Sequence, residues 1–561
     1  MGPTAARVCA AATMVVAAAP GVSFAQTAAA PSRQELNPAA RAAPDRPPPD
    51  LFSAPGTGPC PLAENPAPLT VRSVTLNGLT SVPAGELAGS YADLLNRAGG
   101  DAADLCAIRD RVGDALFDRG ILARVEIPPQ TIGEDGRVML DVIEARIVNV
   151  SVRGDAGPAA PILEAYAARL RGMTPFDVDK VQRYVLLASD VPGLKVRASI
   201  RPSLAQERGA VDLDLNVERD DEELIVNVQN LQAKATGRWG ALARYDLNAQ
   251  GRFGERTSLV AYRTVFHNEQ WVVQALEEAR LGGDGWVVRA GAAYGESRPG
   301  GAVKALGLKS KNTVVNLEAS YPLVRRRRET LNLIAGFDLI DQDTGVGGAG
   351  RLINDDLRVV YARAEANRTY YAGYRPVLLT AEAGLRRGLE GFGATQEGDR
   401  LLSRSEARPS AWLVQGSASA LAVVSPTAQL LARVEGQYSR QPLAAYEEYA
   451  VGSLTIGRGY DPAYVSGDSA LAASIELRAG PYQPAAGWAF SPYAFFDVAR
   501  TWDRDTGGRA DTLSSVGVGF QSPVRGRWLL DVGYARPLAK RALDGARPPG
   551  RLLVNLTARF F

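Results

Sequence analysis

The sequence predicts a transmembrane β-barrel of about sixteen antiparallel strands, preceded by two small α+β domains. Three observations predict it. The amino terminus is an export segment, with no later apolar run long enough for a membrane helix. A tandem repeat of helices and short strands follows, and beyond Asp220 the chain becomes a series of period-two segments rich in aromatic residues.

At the start, Arg7 precedes an apolar run from Val8 to Ala19, followed by Pro20 and by Ser23, Phe24 and Ala25 in a small-x-small arrangement. Residues 1–25 are expected to be a cleaved signal, because the run falls short of the roughly 20 apolar residues that span a bilayer. An exported chain without a membrane helix either stays soluble or crosses as a closed barrel, the other fold that satisfies every backbone group in lipid. The formal net charge of the 561 residues is +2. No strong overall field favours nucleic acid or anionic lipid, and no nucleic-acid partner is expected. Of three cysteines, Cys9 leaves with the signal, so Cys60 and Cys106 remain as a pair in an oxidising compartment. A disulfide between them is expected, worth about 4 kcal/mol in the chain-entropy model. The alternative is two buried thiols.

Residues 26–67 are rich in proline and alanine and read as a linker or loosely held segment. From 68 to 145 the order is strand (LTVRSVTLNGL), two helices (VPAGELAGSYADLLNRAG and AADLCAIRDRVGDALFDRG) and two strands (LARVEIPPQ and RVMLDVIEARI). The same order recurs from 146 to 219, so two modules stand in tandem.

From 220 to 561 the pattern belongs to a barrel wall. All seven tryptophans lie here. Trp239, Ala241, Ala243, Tyr245 and Leu247 share one face of their strand, as do Trp286, Val288, Ala290, Ala292 and Tyr294 of a later one. At the end of the chain Leu552, Val554, Leu556, Ala558 and Phe560 alternate with Arg551, Asn555, Thr557 and Arg559. An apolar face with aromatic ends opposite a small or polar face is what lipid on one side and water on the other require. A soluble sandwich also alternates. The high strand count, and connections that alternate short (282–285, 325–328, 522–526) with long (296–310, 343–353, 389–408, 439–470, 539–549), favour the barrel.

Candidate chemistry is sparse. A single histidine, His267, excludes histidine-rich metal clusters and His-dependent triads. The stretch GVGGAG at 345–350 has dinucleotide-type glycine spacing but runs into an alternating strand, where phosphate cradling needs a helix. The arginine run at 325–328 reads as a solvated turn. No cofactor, metal or enzymatic activity is expected. The segment TIGRGYDPAYVSGDSA, in the long connection 439–470, is different, because Arg458 lies there between Gly457 and Gly459. If this loop folds into the barrel its arginine needs an acid, and Asp497 shares the inward face of its strand with Tyr493, Ala499 and Thr501. An exposed loop with an incidental arginine is the alternative.

The order of export signal, proline-rich segment, two such modules and a sixteen-strand barrel resembles the outer-membrane transporters of two-partner secretion, the haemolysin secretion/activation family. The stretches YPLVRRRRETLNLIAGFD, YEEYAVGSLTIGRGY, FFDVA and LDVGYARPL carry the resemblance. It implies that the modules are polypeptide-transport-associated (POTRA) domains in the periplasm. It also implies that Arg458, Gly459 and Tyr460 form the tip of an inward-folded loop and that Asp497 is its partner on the barrel wall. Phe561, after Phe560, stands where recognition by the barrel assembly machinery prefers an aromatic. Gly457 stands where the family usually has valine. By this resemblance the chain sits in a Gram-negative outer membrane, among lipid and lipopolysaccharide, and exports a large partner such as an adhesin, a haemolysin or a contact-dependent toxin. Recognition is expected to add a strand of the passenger to an edge such as LKVRASI or ARVEIPP. Residues 26–67 could also plug the pore, as in some relatives, although Pro38 interrupts SRQELNPAARA. The rival readings are an assembly factor for other outer-membrane proteins and a passive pore or receptor.

Overall fold

The computed structural model describes residues 32–37, 60, 62, 67–204, 207–266, 269–347, 350–486, 488–505, 507–539 and 547–560. The signal at 1–25, most of the 26–67 segment, His267 and Phe561 lie outside them. The first element is α1 (Arg33–Leu36), one helical turn closed by a reciprocal capping box between Ser32 and Glu35.

In the first α+β unit, Leu105, Ile108, Val112 and Leu116 recur at helical spacing and are buried along α2 (Ala103–Asp118). They share a core with Val138, Leu140 and Val142. These are alternate residues of the central strand in a sheet of β1 (Ser73–Asn77), β2 (Ala123–Glu126) and β3 (Arg137–Glu144), ordered β1, β3, β2. A disulfide joins Cys60 to Cys106, tying the segment before β1 to α2. The stretch 82–99, which reads as a helix, instead forms three successive 3-10 turns at Ala84–Glu86, Ala88–Ser90 and Ala92–Leu94. Gly85 and Gly89 each cost an α-helix about 1 kcal/mol relative to alanine. The tighter turns still bring Leu87, Tyr91 and Leu94 to the core.

The second unit repeats this order with β4 (Arg146–Gly154), α3 (Ala160–Ala168), α4 (Val178–Ser189), β5 (Leu194–Pro202) and β6 (Ala210–Arg219). Its sheet is ordered β4, β6, β5, with β4 and β6 parallel. Strands β2 and β5, which contain ARVE and LKVRASI, each pair on one side only and are therefore free edges.

Sixteen antiparallel strands then close a barrel. The first eight are β7 (Glu222–Gln229), β8 (Gly240–Asn248), β9 (Arg256–Thr264), β10 (Gln270–Leu281), β11 (Trp286–Ser297), β12 (Lys309–Arg326), β13 (Glu329–Val346) and β14 (Gly350–Ala372). Three more follow as β15 (Arg375–Gly388), β16 (Trp412–Ser425) and β17 (Ala428–Ser439). The short strands β18 (Tyr449–Val451) and β19 (Val465–Gly467) pair only with each other, inside the long connection. The wall resumes with β20 (Ser469–Ala479), continued by β21 (Tyr482–Ala485), and ends with β22 (Trp488–Trp502), β23 (Ala510–Val524), β24 (Trp528–Pro537) and β25 (Arg551–Phe560). Strand β25 returns to β7, pairing Asn555 with Gln229 through Phe560 with Leu224. Closure removes the open edges that lipid would leave unsatisfied. On β8, Leu242, Arg244, Asp246 and Asn248 are buried in the lumen while Ala243 is exposed on the outer face. Among the described residues no helix is long and apolar enough to cross a membrane.

Two connections depart from the sequence reading. The stretch 343–353 is a hairpin and not a long loop, because inward residues Ile340, Gln342, Thr344, Ile353, Asp355 and Leu357 keep alternating and stay buried. Its strands run as far as Val346 and from Gly350, which pair with each other. The arginine run is only in part a solvated turn, since Arg326 and Arg328 are exposed but the run also makes contacts. Arg325 grips Asp190 with two bonds of 2.6 Å, Arg326 pairs with Asp179 at 3.0 Å, and the Arg327 backbone N–H donates to Gln182 Oε1 at 3.1 Å. All three partners lie on α4 or at its end, so the run docks the second unit against the barrel rim.

Candidate functional site

The antiparallel pair β18 and β19 is the stem of the long loop, and it sends residues 452–464 into the lumen. Gly457 adopts φ of +122°, a conformation an L side chain rarely takes, and turns the chain just before Arg458. A valine at 457 would need a different backbone.

Arg458 meets the wall through the edges and one face of its guanidinium. Its Nη2 and Nε donate to Asp497 at 2.8 and 3.0 Å, and its backbone N–H donates to the same carboxylate at 3.0 Å. Nη1 pairs with Glu476, and Nη2 also donates to Ser474 Oγ at 3.0 Å. The guanidinium carbon stands 3.4 Å from the centre of the Phe495 ring, a cation–π contact. Asp497 is 1% exposed and accepts a further bond from Ser474 Oγ at 2.7 Å. A planar fork that serves two carboxylates and stacks on a ring is chemistry lysine cannot reproduce.

The neighbours of Arg458 continue the clamp. A Cβ on Gly459 would lie 2.8 Å from Ser515 Cβ and 3.0 Å from the Pro537 nitrogen, so only glycine fits. The Tyr460 hydroxyl donates to the Ser514 carbonyl at 2.9 Å and accepts from the Ala539 N–H at 3.1 Å. Asp461 pairs with Arg238, between β7 and β8, and with Arg551 of β25, both at 3.0 Å. Arg551 also donates to the Tyr460 carbonyl. The loop thereby touches both sides of the seam where the barrel closes.

A second buried centre lies at the base of the loop. Glu447 accepts from Arg386 at 2.9 and 3.0 Å and pairs with Arg33 of α1 at 2.8 Å. Arg386 in turn pairs with Asp338 at 2.9 Å. Leu36 of α1 is buried with lumen-facing Ile225, Leu242 and Val272. The single turn α1 thus stands inside the barrel, held by charge at one end and apolar packing at the other.

A third cluster ties the extracellular loops together. Arg404 pairs with Glu448 at 2.8 Å, with Asp505 at 3.1 Å and with Asp468. Burial pushes the Glu448 carboxyl up to about 7, against the pull of Arg404 and Ser466 and with Asp468 and Asp503 adding to the rise. Asp503 is lifted to about 6 by burial first. Both values lie above the ordinary carboxylate value near ~4, so the packed loops bind protons that open loops do not. The packed arrangement therefore gains stability as pH falls through these values. Channel openings of the bilayer-reconstituted chain are expected to become rarer from about pH 8 to about pH 5.5, and Glu448→Gln should flatten that dependence. An unaltered pH dependence in the variant would assign the effect to another group.

Of the residues singled out from sequence, the fold brings Arg458, Gly459, Tyr460 and Asp497 together, and it bonds Cys60 to Cys106. Phe560 lies apart from this site, on the outer face at the periplasmic rim, with its ring centre 6.0 Å from that of Trp528. Sequence reasoning missed Glu476 and Ser474, although the alternation of SALAASIELRA places both on one face of β20. It also missed Phe495, which shares the inward face of Asp497. Asp461, Arg551, Glu447 and Arg386 carried no local signal.

A vestibule of about 1440 Å³ opens between the second α+β unit and the near end of the barrel. It is lined by Leu194–Arg197 of edge strand β5 and by lumen residues Arg256, Glu278, Arg280 and Arg289.

Comparison with known proteins places these features. Residues 209–522 match the haemolysin secretion/activation protein family ShlB/FhaC/HecB, and residues 69–145 match the ShlB-type POTRA domain. Among solved structures the chain is similar to CdiB from Escherichia coli, at 18% identity over 94% of this chain and 96% of that one, with a TM-score of 0.71. It is similar to CdiB from Acinetobacter baumannii at 15% identity over 93% and 95%, with a TM-score of 0.63. BamA from Haemophilus ducreyi lacking POTRA domains 1-3 shares 14% identity over 88% of this chain and 100% of that one, with a TM-score of 0.52. At such identities the likeness is one of fold. No curated protein sequence matches the chain.

Proposed function

The chain belongs to the haemolysin secretion/activation protein family of outer-membrane β-barrel transporters, and from that premise we propose that it exports one large partner protein by two-partner secretion. The passenger, an adhesin, a haemolysin or a contact-dependent toxin, reaches the periplasmic face unfolded. The two α+β units act as POTRA domains and receive it by strand addition, which supplies backbone hydrogen bonds without strict sequence demands. The position of edge strand β5 beside the vestibule supports this route, since a strand added there lies at the mouth of the lumen.

The observation that carries the reading is the inward loop clamped to Asp497 and Glu476 by Arg458. A loop merely covering a pore needs no buried arginine, whereas a loop that holds strands β20 to β24 in one arrangement while the lumen is occupied does. Residues Arg33–Leu36 act as the end of a resting plug, which the passenger displaces. Folding of the passenger outside the cell opposes its return, and no nucleotide site is needed for that.

The test is a comparison of culture medium, surface proteins and outer-membrane profile between a strain carrying the chain and one from which it has been deleted. Loss of one or a few very large secreted proteins, with an unchanged membrane profile, is the expected result. Broad loss of outer-membrane proteins would mean an assembly factor, and no change in either would leave a passive pore or receptor.

A further inference from the structure

The tryptophans divide between the two ends of the barrel wall. Trp286, Trp488 and Trp528 lie at the end nearest the α+β units, and Trp239, Trp271, Trp412 and Trp502 lie at the far, extracellular end. This is the aromatic belt expected at each membrane interface. The two belts differ in what faces them. Across the strand register the near-end rings oppose Leu281, Val524 and Ala558. At the far end Trp271 opposes Arg263, Trp412 opposes Arg387, and the Arg500 guanidinium lies 5.2 Å from the Trp502 ring centre.

Arg263, Arg387 and Arg500 are all exposed and alternate with lumen-facing neighbours, so they point outward from the wall. Arg536, between exposed Tyr534 and the extracellular end of β24 at Pro537, does the same. None of the four has an ion-pair partner among the described residues. At the near end Arg325 and Arg326 are paired with Asp190 and Asp179, while Arg328, Arg368 and Arg375 are exposed and Arg328 lies 4.8 Å from the Tyr371 ring centre.

An unpaired guanidinium at headgroup depth is stabilised by an anionic headgroup, and its planar fork matches a phosphate better than an ammonium does. At Arg500 the Trp502 indole lies against the guanidinium and covers one side of it. Beneath Arg387 the small residues Ala383, Gly416 and Gly436 lie side by side across three strands, which leaves the wall shallow enough for an acyl chain. We propose that Arg263, Arg387, Arg500 and Arg536 form a rim that binds the phosphates of an anionic outer-leaflet lipid of the lipopolysaccharide type. The inference rests on the outer-membrane orientation of the barrel and not on the identity of its passenger.

The experiment uses the full-length chain purified in detergent, with binding followed by native mass spectrometry and by thermal unfolding in the presence of purified lipid A. Lipid A is expected to remain bound and to raise the unfolding midpoint, while enzymatically dephosphorylated lipid A and inorganic phosphate at the same concentration should do neither. The combined variant Arg263→Gln, Arg387→Gln, Arg500→Gln should bind lipid A weaker by about tenfold or more, as loss of charge-assisted bonds requires. The corresponding lysine variant should recover part of that loss. Equal stabilisation by the dephosphorylated lipid would overturn the proposal, and that comparison needs no variant. Stabilisation by inorganic phosphate alone would overturn the assignment to a lipid. A glutamine variant that remains heat-modifiable on gels and binds lipid A as well as the wild type would show that these arginines are not the site.

Discussion

Replacing Arg458 with alanine is expected to abolish export of the passenger while the barrel still reaches the outer membrane. The substitution leaves Asp497, 1% exposed, without its cation, while Glu476 keeps Arg478 at 2.6 Å. Breaking a buried pair from one side costs about 3–5 kcal/mol, because the remaining charge keeps its desolvation penalty. Ser474 Oγ still donates to Asp497, but it supplies no charge. The loop tip should therefore leave the wall, and Tyr460 and Asp461 with it, since all three belong to one turn. Arg458→Lys should recover only part of the activity, because an ammonium cannot reach both carboxylates and stack on Phe495 at once. The measurement is passenger in the medium against barrel abundance by blotting, with heat-modifiability as the check on folding. Export near the wild-type level in Arg458→Ala would remove the clamp from the mechanism.

The second large effect is expected at Arg386. Methionine there has similar length but no charge, so Glu447 and Asp338 lose a cation that each now contacts at 2.9 Å. Arg33 remains beside Glu447, yet it belongs to α1, a single turn whose hold on the lumen includes that ion pair, a bond from Arg33 to Gln415 Oε1 at 3.3 Å and the packing of Leu36. The expected result is release of α1 and of the loop base, seen in planar bilayers as a large rise in conductance. A single variant that conducts like the wild type would mean that α1 does not close the pore.

The two predictions differ in how far sequence could anticipate their residues. Asp497 can be read from PYAFFDVART, since a period of two puts it on the inward face with Tyr493 and Ala499. Arg458 stands out because an arginine between glycines breaks the alternation. Nothing comparable marks Arg386, one of many arginines on inward faces, or Glu447, which sits in an irregular loop. The arginine run at 325–328 is in part a miss. Its charge density reads as a solvated turn, and only the position of α4 supplies the carboxylates that make it a dock.

Sequence by itself determined the barrel, its number of strands, which face of each strand meets lipid, and the paired modules before it. These depend on local period and composition, which any stretch of about ten residues displays. Tertiary structure alone decided which charges meet in the lumen. Glu476 faces Arg458 because β20 and β22 pair in one register, with Ser474 opposite Asp497, and a slip of β20 by one residue would turn Glu476 and Ser474 toward lipid. It also decided that α1 stands inside the pore, that 82–99 coils into 3-10 turns, and that Arg263 and Arg387 lie opposite tryptophans of neighbouring strands. Register and closure are set by hydrogen bonds between distant segments, and no local pattern carries that information.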